Sequence, residues 1–224
     1  MLWERINTGK QVFILDLDGT LMPSAKIDNE CFWKAVFVCY GERATLPDLH
    51  GFKYVTDSGI LDEWCRRELG RSPHESESRQ IKQHFLQLLE SASISQPSHF
   101  RPLPGVLSWL EAVSDHGNVY AGIATGGWES SARLKLKLSG LDRFNIPLAS
   151  SDDAMPRTRI MQIAAQRTLK NQAQDNTVFT YVGDGTWDLQ ASQKLDWEFI
   201  GIASGQQAEK LKHEGAKHIL ANFL

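Results

Sequence analysis

The stretch QVFILDLDGTLMP, from Gln11 to Pro23, places two carboxylates where an apolar segment ends. Val12 to Leu15 are apolar, and Asp16 and Asp18 follow them directly. An apolar run of this length predicts a buried strand. An Asp-Gly pair after a strand is also a common signal for a two-residue hairpin turn. The stretch therefore allows two interpretations, a hairpin or a chemical site at the end of a strand.

The residues that follow argue against the hairpin. LMPSAK contains Pro23 and shows no alternation of apolar and polar residues. Proline cannot donate a hydrogen bond to a neighbouring strand, so this segment makes a poor returning strand. The two carboxylates therefore need another explanation.

The second half of the chain alternates between segments with the pattern of strands and segments with the pattern of helices. The expected helices are 105–116, 128–138, 158–168, a short one after Thr186, and 206–212. The expected strands are 118–125, 144–150, 177–184, 198–203 and 216–220. Such alternation predicts βαβ units and a mainly parallel sheet.

The segment between the first strand and this alternating half has the pattern of helices only. Apolar stripes at helical spacing cross residues 31–40, 60–69 and 81–89, and Ser72-Pro73 is expected to open the third helix. Prolines mark both edges of the segment. We therefore expect an α/β fold with a Rossmann-like parallel sheet core, formed by residues 1–22 and 101–224. An α-helical cap domain, residues 23–100, is inserted after the first strand.

The composition excludes several classes of protein. The net charge of −3 over 224 residues gives no basic excess for nucleic acid, and the apolar runs are too short for a membrane span. The N-terminus lacks the apolar centre of a secretory signal. The three cysteines have no CxxC spacing and lie on apolar helical stripes, which indicates buried free thiols. We expect a cytoplasmic protein that binds neither nucleic acid nor membrane, and the sequence indicates no particular oligomeric state.

Four strand ends carry polar residues, and ligands bind at the carboxyl ends of strands in open parallel sheets. The four groups are Asp16 with Asp18, then Thr125 with Gly126 and Gly127, then Arg157 with Arg159, and last Asp184 with Asp188. One set of roles uses all of them. A carboxylate can attack phosphorus, a second can act as general acid and base, and others can hold Mg²⁺ through oxygen.

In this set of roles Asp16 is the nucleophile and Asp18 the general acid and base. Asp16 and Asp184 hold Mg²⁺ together with the backbone carbonyl of Asp18. Thr125 and an arginine hold the phosphoryl oxygens, because their negative charge must be neutralised during transfer.

The chain resembles the haloacid dehalogenase-like hydrolase superfamily, in the branch of phosphatases with a helical cap that includes phosphoglycolate phosphatases. DLDGT matches its first motif, IATGG its second and GDGTWD its fourth. The resemblance implies the roles above for Asp16, Asp18, Thr125 and Asp184, adds Asp188 on the metal side, and implies that the insertion is the family's cap.

Two positions depart from the pattern of that superfamily. Gly126 stands where relatives often have asparagine, and the usual lysine of the third motif is missing. Arg157, just before a predicted helix, is the better replacement for the lysine, and Arg159 is the second choice. Arginine can bind phosphate through two parallel hydrogen bonds.

The sequence thus predicts a Mg²⁺-dependent phosphatase that acts on a small phosphorylated metabolite through a phospho-aspartate. A phosphomutase of the same superfamily would use the same residues, and a relative that only binds a phosphorylated ligand is the alternative from another class. The cap stretch HGFKYVTDSGILDEW offers candidates for substrate contacts in Lys53, Tyr54, Thr56 and Asp57.

Overall fold

Helices and strands alternate along the chain in this computed structural model, which describes residues 2–5, 10–41, 48–170 and 176–224. The helices are α1 (Leu2–Arg5), α2 (Ala25–Tyr40), α3 (Asp57–Leu69), α4 (Glu75–Ser95), α5 (Val106–Asp115), α6 (Glu129–Ser139), α7 (Arg157–Leu169), α8 (Thr186–Lys194) and α9 (Gly205–His213). The strands are β1 (Lys10–Leu15), β2 (Val119–Ala124), β3 (Leu148–Ala149), β4 (Thr177–Gly183), β5 (Glu198–Ile202) and β6 (Ile219–Leu220). No helix in the described ranges combines the length and apolar character needed to cross a bilayer.

The described strands form one parallel sheet of six, in the order β3-β2-β1-β4-β5-β6. The predicted α/β fold with a parallel sheet is therefore confirmed. From β1 the chain moves outward through β2 to β3, then returns to the other side of β1 with β4. The carboxyl end of β1 is consequently the point where the strand order reverses, which is where open α/β sheets form their ligand crevice.

Strand β1 is apolar throughout because both faces of the sheet are covered there. Val12 and Ile14 join the apolar cluster beneath α7 and α8, whereas Phe13 and Leu15 join the cluster beneath α5 and α6. All four side chains are completely buried. A strand buried on both faces reads as a continuous apolar run, which explains the sequence from which we predicted it.

Two expected elements differ from those observed. The strand expected over 144–150 is reduced to Leu148–Ala149, because Asn145 has a positive φ of 47° and Pro147 has no N–H to donate. Helix α4 begins at Glu75 rather than directly after Ser72-Pro73. Its start is fixed by Glu77, whose carboxylate accepts a hydrogen bond of 2.7 Å from the His74 backbone N–H.

The insertion after β1 is helical, as predicted, and the described residues from 24 to 100 contain no strand. Helices α2, α3 and α4 share an apolar cluster of their own, with Phe32, Trp33, Trp64 and Phe85 at its centre. The three cysteines are free, and all but the half-buried Cys39 are buried. The insertion thus packs around an aromatic core distinct from the two clusters on the sheet, and the exact boundaries at 23 and 100 stay a prediction.

Candidate active site

Three neighbouring strands bring their polar ends to the same edge of the sheet. Leu15 pairs with Ile123 on β2 and with Val182 on β4. This register aligns Asp16, after β1, with the ends of both neighbours. Asp16, Thr125 and Asp184 all line one cavity of about 260 Å³. The edge of the sheet therefore gathers three of the residues that the sequence singled out.

Three carboxylates form a tight cluster at this edge. One oxygen from each of Asp16, Asp184 and Asp188 lies within 4.8 Å of the others. Burial raises the pKa of the Asp16 and Asp184 carboxyls, and the neighbouring Asp188 carboxylate raises both pKa values further. A divalent cation with oxygen ligands would offset this excess of negative charge, so the donor set fits Mg²⁺.

The approach of Asp184 depends on Gly19. This residue has a φ of 89°, and a Cβ atom on it would lie only 2.2 Å from Asp184 Oδ2. Only glycine adopts this conformation readily and leaves this space free. The Asp-Gly pair that could have signalled a hairpin instead lets a carboxylate from β4 come close to the loop after β1.

Arg157 brings a positive charge to the carboxylate cluster. Its Nη1 lies 3.2 Å from Asp16 Oδ1 and 3.0 Å from Asp188 Oδ1. Its Nη2 donates a hydrogen bond of 2.9 Å to the carbonyl oxygen of Val55, in the insertion. Burial lowers the pKa of the guanidinium, but the adjacent carboxylates outweigh burial and raise that pKa. Arg159 is exposed. Of the two arginines, the structure therefore brings Arg157 to the cluster and leaves Arg159 at the surface.

Arg157 also explains the glycine at position 126. A Cβ atom on Gly126 would lie 2.4 Å from Arg157 Nη2 and 3.1 Å from the carbonyl oxygen of Val55. An asparagine at position 126 would occupy the space that the guanidinium takes. The two departures from the superfamily's pattern are thus sterically linked, because the guanidinium of Arg157 needs the space that a side chain at position 126 would fill.

Thr125 is buried at the end of β2. Its Oγ1 accepts a hydrogen bond of 3.0 Å from the Gly127 backbone N–H. The backbone of Gly126 has a separate partner, because its carbonyl oxygen accepts a hydrogen bond of 2.8 Å from the Asp57 N–H. The loop after β2 is therefore shaped by its own threonine and held against the insertion by its backbone.

Asp18 has two partners that the sequence analysis did not identify. Its Oδ1 accepts a hydrogen bond of 2.5 Å from Ser24 Oγ, and its Oδ2 lies 2.5 Å from Lys135 Nζ. Lys135 is completely buried and also lies 2.5 Å from Asp28 Oδ1, in the first turn of α2. Asp18 lies outside the three-carboxylate cluster, and its backbone carbonyl as a metal ligand stays a prediction.

A pattern in α6 could have revealed Lys135. The buried residues of this helix are Ser131, Ala132, Lys135 and Leu136, spaced as one helical face, so Lys135 lies on the stripe that faces the core. A lysine on such a stripe needs a buried partner, because burying an unpaired ammonium is costly. No local pattern indicates that Asp18 and Asp28 are those partners, since they lie more than 100 positions away.

The insertion lines part of the cavity through the residues at the start of α3. Thr56 and Asp57 line the cavity, whereas Lys53 and Tyr54 line a neighbouring cleft. Asp57 Oδ2 accepts a hydrogen bond of 2.9 Å from the Trp128 N–H, and Thr56 Oγ1 donates one of 2.9 Å to the carbonyl oxygen of Met155. Of the four candidates for substrate contacts, two thus face the cavity.

The comparisons with known proteins agree with this fold. The family model described as haloacid dehalogenase-like hydrolase matches residues 13–202. A hydrolase from Pseudomonas syringae is 23% identical with a TM-score of 0.70, and the match covers 97% of this chain and 95% of that one. CbbY from Rhodobacter sphaeroides, solved with phosphate, is 16% identical with a TM-score of 0.68, covering 96% and 95%.

A further solved structure, described as a beta-phosphoglucomutase candidate from Bacteroides vulgatus, is 19% identical with a TM-score of 0.66, covering 96% of this chain and 84% of that one. A comparison with curated protein sequences gives no significant match. At these identities the structural likenesses bear on the fold, and the family model carries the assignment. This chain belongs to the haloacid dehalogenase-like hydrolase family.

Proposed function

We propose that this chain is a Mg²⁺-dependent phosphatase that hydrolyses a small phosphorylated metabolite through a phospho-aspartate. The observation that carries the proposal is the position of Asp16, which lies beside Arg157 and two further carboxylates at a cavity of about 260 Å³. A cavity of this size suits a small substrate.

In the first step, a carboxylate oxygen of Asp16 attacks phosphorus, and the bond from phosphorus to the leaving oxygen breaks. Asp18 gives a proton to that oxygen, so the product leaves as an alcohol. In the second step, Asp18 takes a proton from water, whose oxygen attacks the phospho-aspartate. Inorganic phosphate leaves and Asp16 returns to a carboxylate.

The other site residues bind and orient the phosphoryl group. Arg157 neutralises charge on its oxygens, and the loop of Thr125 and Gly126 supplies a hydroxyl and backbone groups at the start of α6. Asp16, Asp184 and Asp188, with the backbone carbonyl of Asp18, would hold Mg²⁺. When bound, the ion would neutralise negative charge on the nucleophile and on the phosphoryl group.

The insertion acts as a cap over this site in our proposal. We retain residues 23–100 as the cap and residues 1–22 and 101–224 as the core, which is supported by the separate aromatic cluster of α2, α3 and α4. Closure by the loop of Thr56 and Asp57 would exclude bulk water and large substrates. We also propose a cytoplasmic location, supported by the three free cysteines.

The substrate class is supported by complexes of a protein with a similar fold. Rhodobacter sphaeroides CbbY has been solved with phosphate, and a variant of it with xylulose-(1,5)bisphosphate. A phosphomutase remains the second candidate, because the fold is also similar to that of the beta-phosphoglucomutase candidate. Analysis of products from a sugar phosphate separates the two, since a phosphatase releases inorganic phosphate and a mutase returns the phosphoryl group to the sugar.

Hydrolysis of p-nitrophenyl phosphate, with and without Mg²⁺, tests the proposal. Wild type and Asp16→Asn are compared side by side, with Asp142→Asn as a control that removes an exposed carboxylate outside the cavity. We expect Mg²⁺-dependent turnover in wild type and in the control, and none in Asp16→Asn. Equal turnover in all three proteins would refute the role of Asp16 as the nucleophile. Binding of inorganic phosphate without turnover in wild type would favour a protein that only binds a phosphorylated ligand.

A further inference from the structure

Lys135 is a buried cation that the proposed reaction does not yet use. Its side chain is completely buried on α6, and its Nζ lies 2.5 Å from Asp18 Oδ2 and 2.5 Å from Asp28 Oδ1. Its neighbours on the buried face of the helix are small or apolar. Apolar residues of similar volume often replace buried ion pairs with little loss of stability. The charge at this position therefore calls for a reason other than packing.

The two oxygens of Asp18 are held by different groups. Oδ2 faces the Lys135 ammonium, while Oδ1 accepts the 2.5 Å hydrogen bond from Ser24 Oγ. With both oxygens bound, the carboxylate cannot turn about its side-chain bonds without breaking a contact. The side chain still keeps 15% of its surface accessible and lines the cavity. Asp18 is therefore fixed in direction and accessible to a ligand.

Asp28 in turn holds Lys135. It lies in the first turn of α2, the first helix of the insertion, and it also lines the cavity. The chain of contacts thus runs from the sheet, through Asp18 and Lys135, to the insertion.

We propose that Lys135 is a positioning residue that holds the Asp18 carboxylate at the reacting phosphoryl group, and that Asp28 anchors Lys135 for this task. The inference rests on the proposed phosphatase function, in which Asp18 serves both steps. Lys135 does not line the cavity and reaches the site through its contact with Asp18. Its effect is expected only through Asp18.

A double-mutant cycle in p-nitrophenyl phosphate hydrolysis tests the inference. The proteins are wild type, Lys135→Met, Asp18→Asn and the double variant, with Lys137→Met as the matched control. Lys137 lies on the same helix and is exposed. Thermal unfolding of each variant verifies that it folds.

Loss of the ammonium should lower kcat by about 100-fold, the loss that a misplacement near 1 Å can cause. The leaving group of p-nitrophenyl phosphate needs little protonation, so the second step should suffer most. Lys135→Met and Asp18→Asn should both release a burst of p-nitrophenol equal to the enzyme concentration, followed by slow turnover. The double variant should be no slower than Asp18→Asn alone, and Lys137→Met should match wild type.

Two results would overturn the inference while leaving the proposed function in place. One is a wild-type kcat in Lys135→Met. The other is a double variant whose reduction in kcat is the product of the reductions in the two single variants. A residue that acts only through Asp18 should lower kcat no further once Asp18 is replaced. A wild type without Mg²⁺-dependent turnover would instead refute the proposed function, and this inference with it.

Asp28→Asn keeps the inference testable if Lys135→Met fails to fold. This variant leaves the pair of Lys135 and Asp18 intact and removes only the anchor. We expect a smaller loss of kcat than in Lys135→Met, and no further loss when Asp28→Asn is added to Asp18→Asn. A loss of equal size in both backgrounds would show that Asp28 acts independently of Asp18 and would contradict the proposed chain of contacts.

Discussion

The carboxyl edge of the sheet buries charged side chains, whereas the helical insertion buries aromatic rings. The edge holds Asp16 and Asp188 close to the guanidinium of Arg157. The insertion holds rings in edge contact, such as Phe32 with Trp33 and with Phe85, at centroid distances of 5.2 and 6.1 Å. Clustered like charges oppose folding unless they are compensated, whereas packed rings favour it. The edge should therefore determine activity, and the insertion stability.

The largest expected effect is at Asp16, where a substitution should abolish most of the activity without lowering stability. Asp16→Asn should lower kcat by at least about 10⁴-fold, as expected when a nucleophile is lost. Its melting temperature should equal or exceed that of wild type in the absence of metal, because one of the crowded carboxylates is removed. Activity assays and thermal unfolding on the same preparation measure both. A strongly lowered melting temperature would place Asp16 among the residues that stabilise the fold.

The next largest effect is expected at Arg157, and Arg159, two positions further along, serves as its comparison. Arg157→Ala should lower kcat/KM by about 10²–10³-fold, as loss of one group that stabilises transition-state charge does. Arg159→Ala should leave it unchanged, since this side chain is exposed. Steady-state kinetics of both variants measure the difference. The reverse ranking would move the phosphoryl-binding role to Arg159.

Stability in the insertion should depend on its aromatic core. Phe85→Ala should lower the free energy of unfolding by about 3–5 kcal/mol, because it leaves a cavity among packed rings. Ile94→Ala is the matched control on the same helix, at a residue that is 84% exposed, and should change that free energy little. Urea unfolding measures both variants. Similar losses in the two would mean that the cluster does not stabilise the insertion as its burial indicates.

Metal binding should stabilise the protein in a pH-dependent way. Burial and mutual repulsion raise the pKa values of Asp16 and Asp184, so these carboxyls take up protons at a higher pH than usual and then bind cations poorly. As the pH rises through these values, the cluster ionises, destabilises the metal-free protein and binds Mg²⁺. At a concentration of 100 times Kd, the ion would stabilise the fold by about 2.7 kcal/mol.

Thermal unfolding with and without Mg²⁺ measures this effect. The rise in melting temperature should be larger at about pH 8 than at about pH 5, where the cluster is more protonated. Asp184→Asn should reduce the rise at both values, and Asp142→Asn should not. A rise that is the same at both pH values in wild type would contradict binding at this cluster.

The sequence predicted what its local patterns encode. The apolar run before Asp16 indicated a buried strand, and the carboxylates at strand ends indicated a site at the carboxyl ends of the strands. The choice of Arg157 over Arg159 followed from its position just before a helix, and the structure places Arg157 at the cluster. The first two predictions needed only the residue's own segment and the general rules of parallel sheets, whereas the choice of Arg157 also used the resemblance to the superfamily's third motif.

What the sequence missed depends on contacts between distant segments. The pairing of Lys135 with Asp18 and Asp28 joins α6 to the loop after β1 and to α2. The link between Gly126 and Arg157 could not be seen, because the space for the guanidinium exists only once β2 and α7 lie side by side. The short β3 shows the same limit on a smaller scale, since Asn145 and Pro147 override the apolar residues around them.

The most direct test of the proposed chemistry is to trap the phospho-aspartate. Asp18→Asn is mixed with p-nitrophenyl phosphate and Mg²⁺, quenched in acid and reduced with borohydride, which converts an aspartyl phosphate to homoserine. Peptide mass spectrometry then locates the reduced residue. We predict homoserine at position 16 and nowhere else. Homoserine at another aspartate, or none while p-nitrophenol is released in a burst, would contradict Asp16 as the nucleophile.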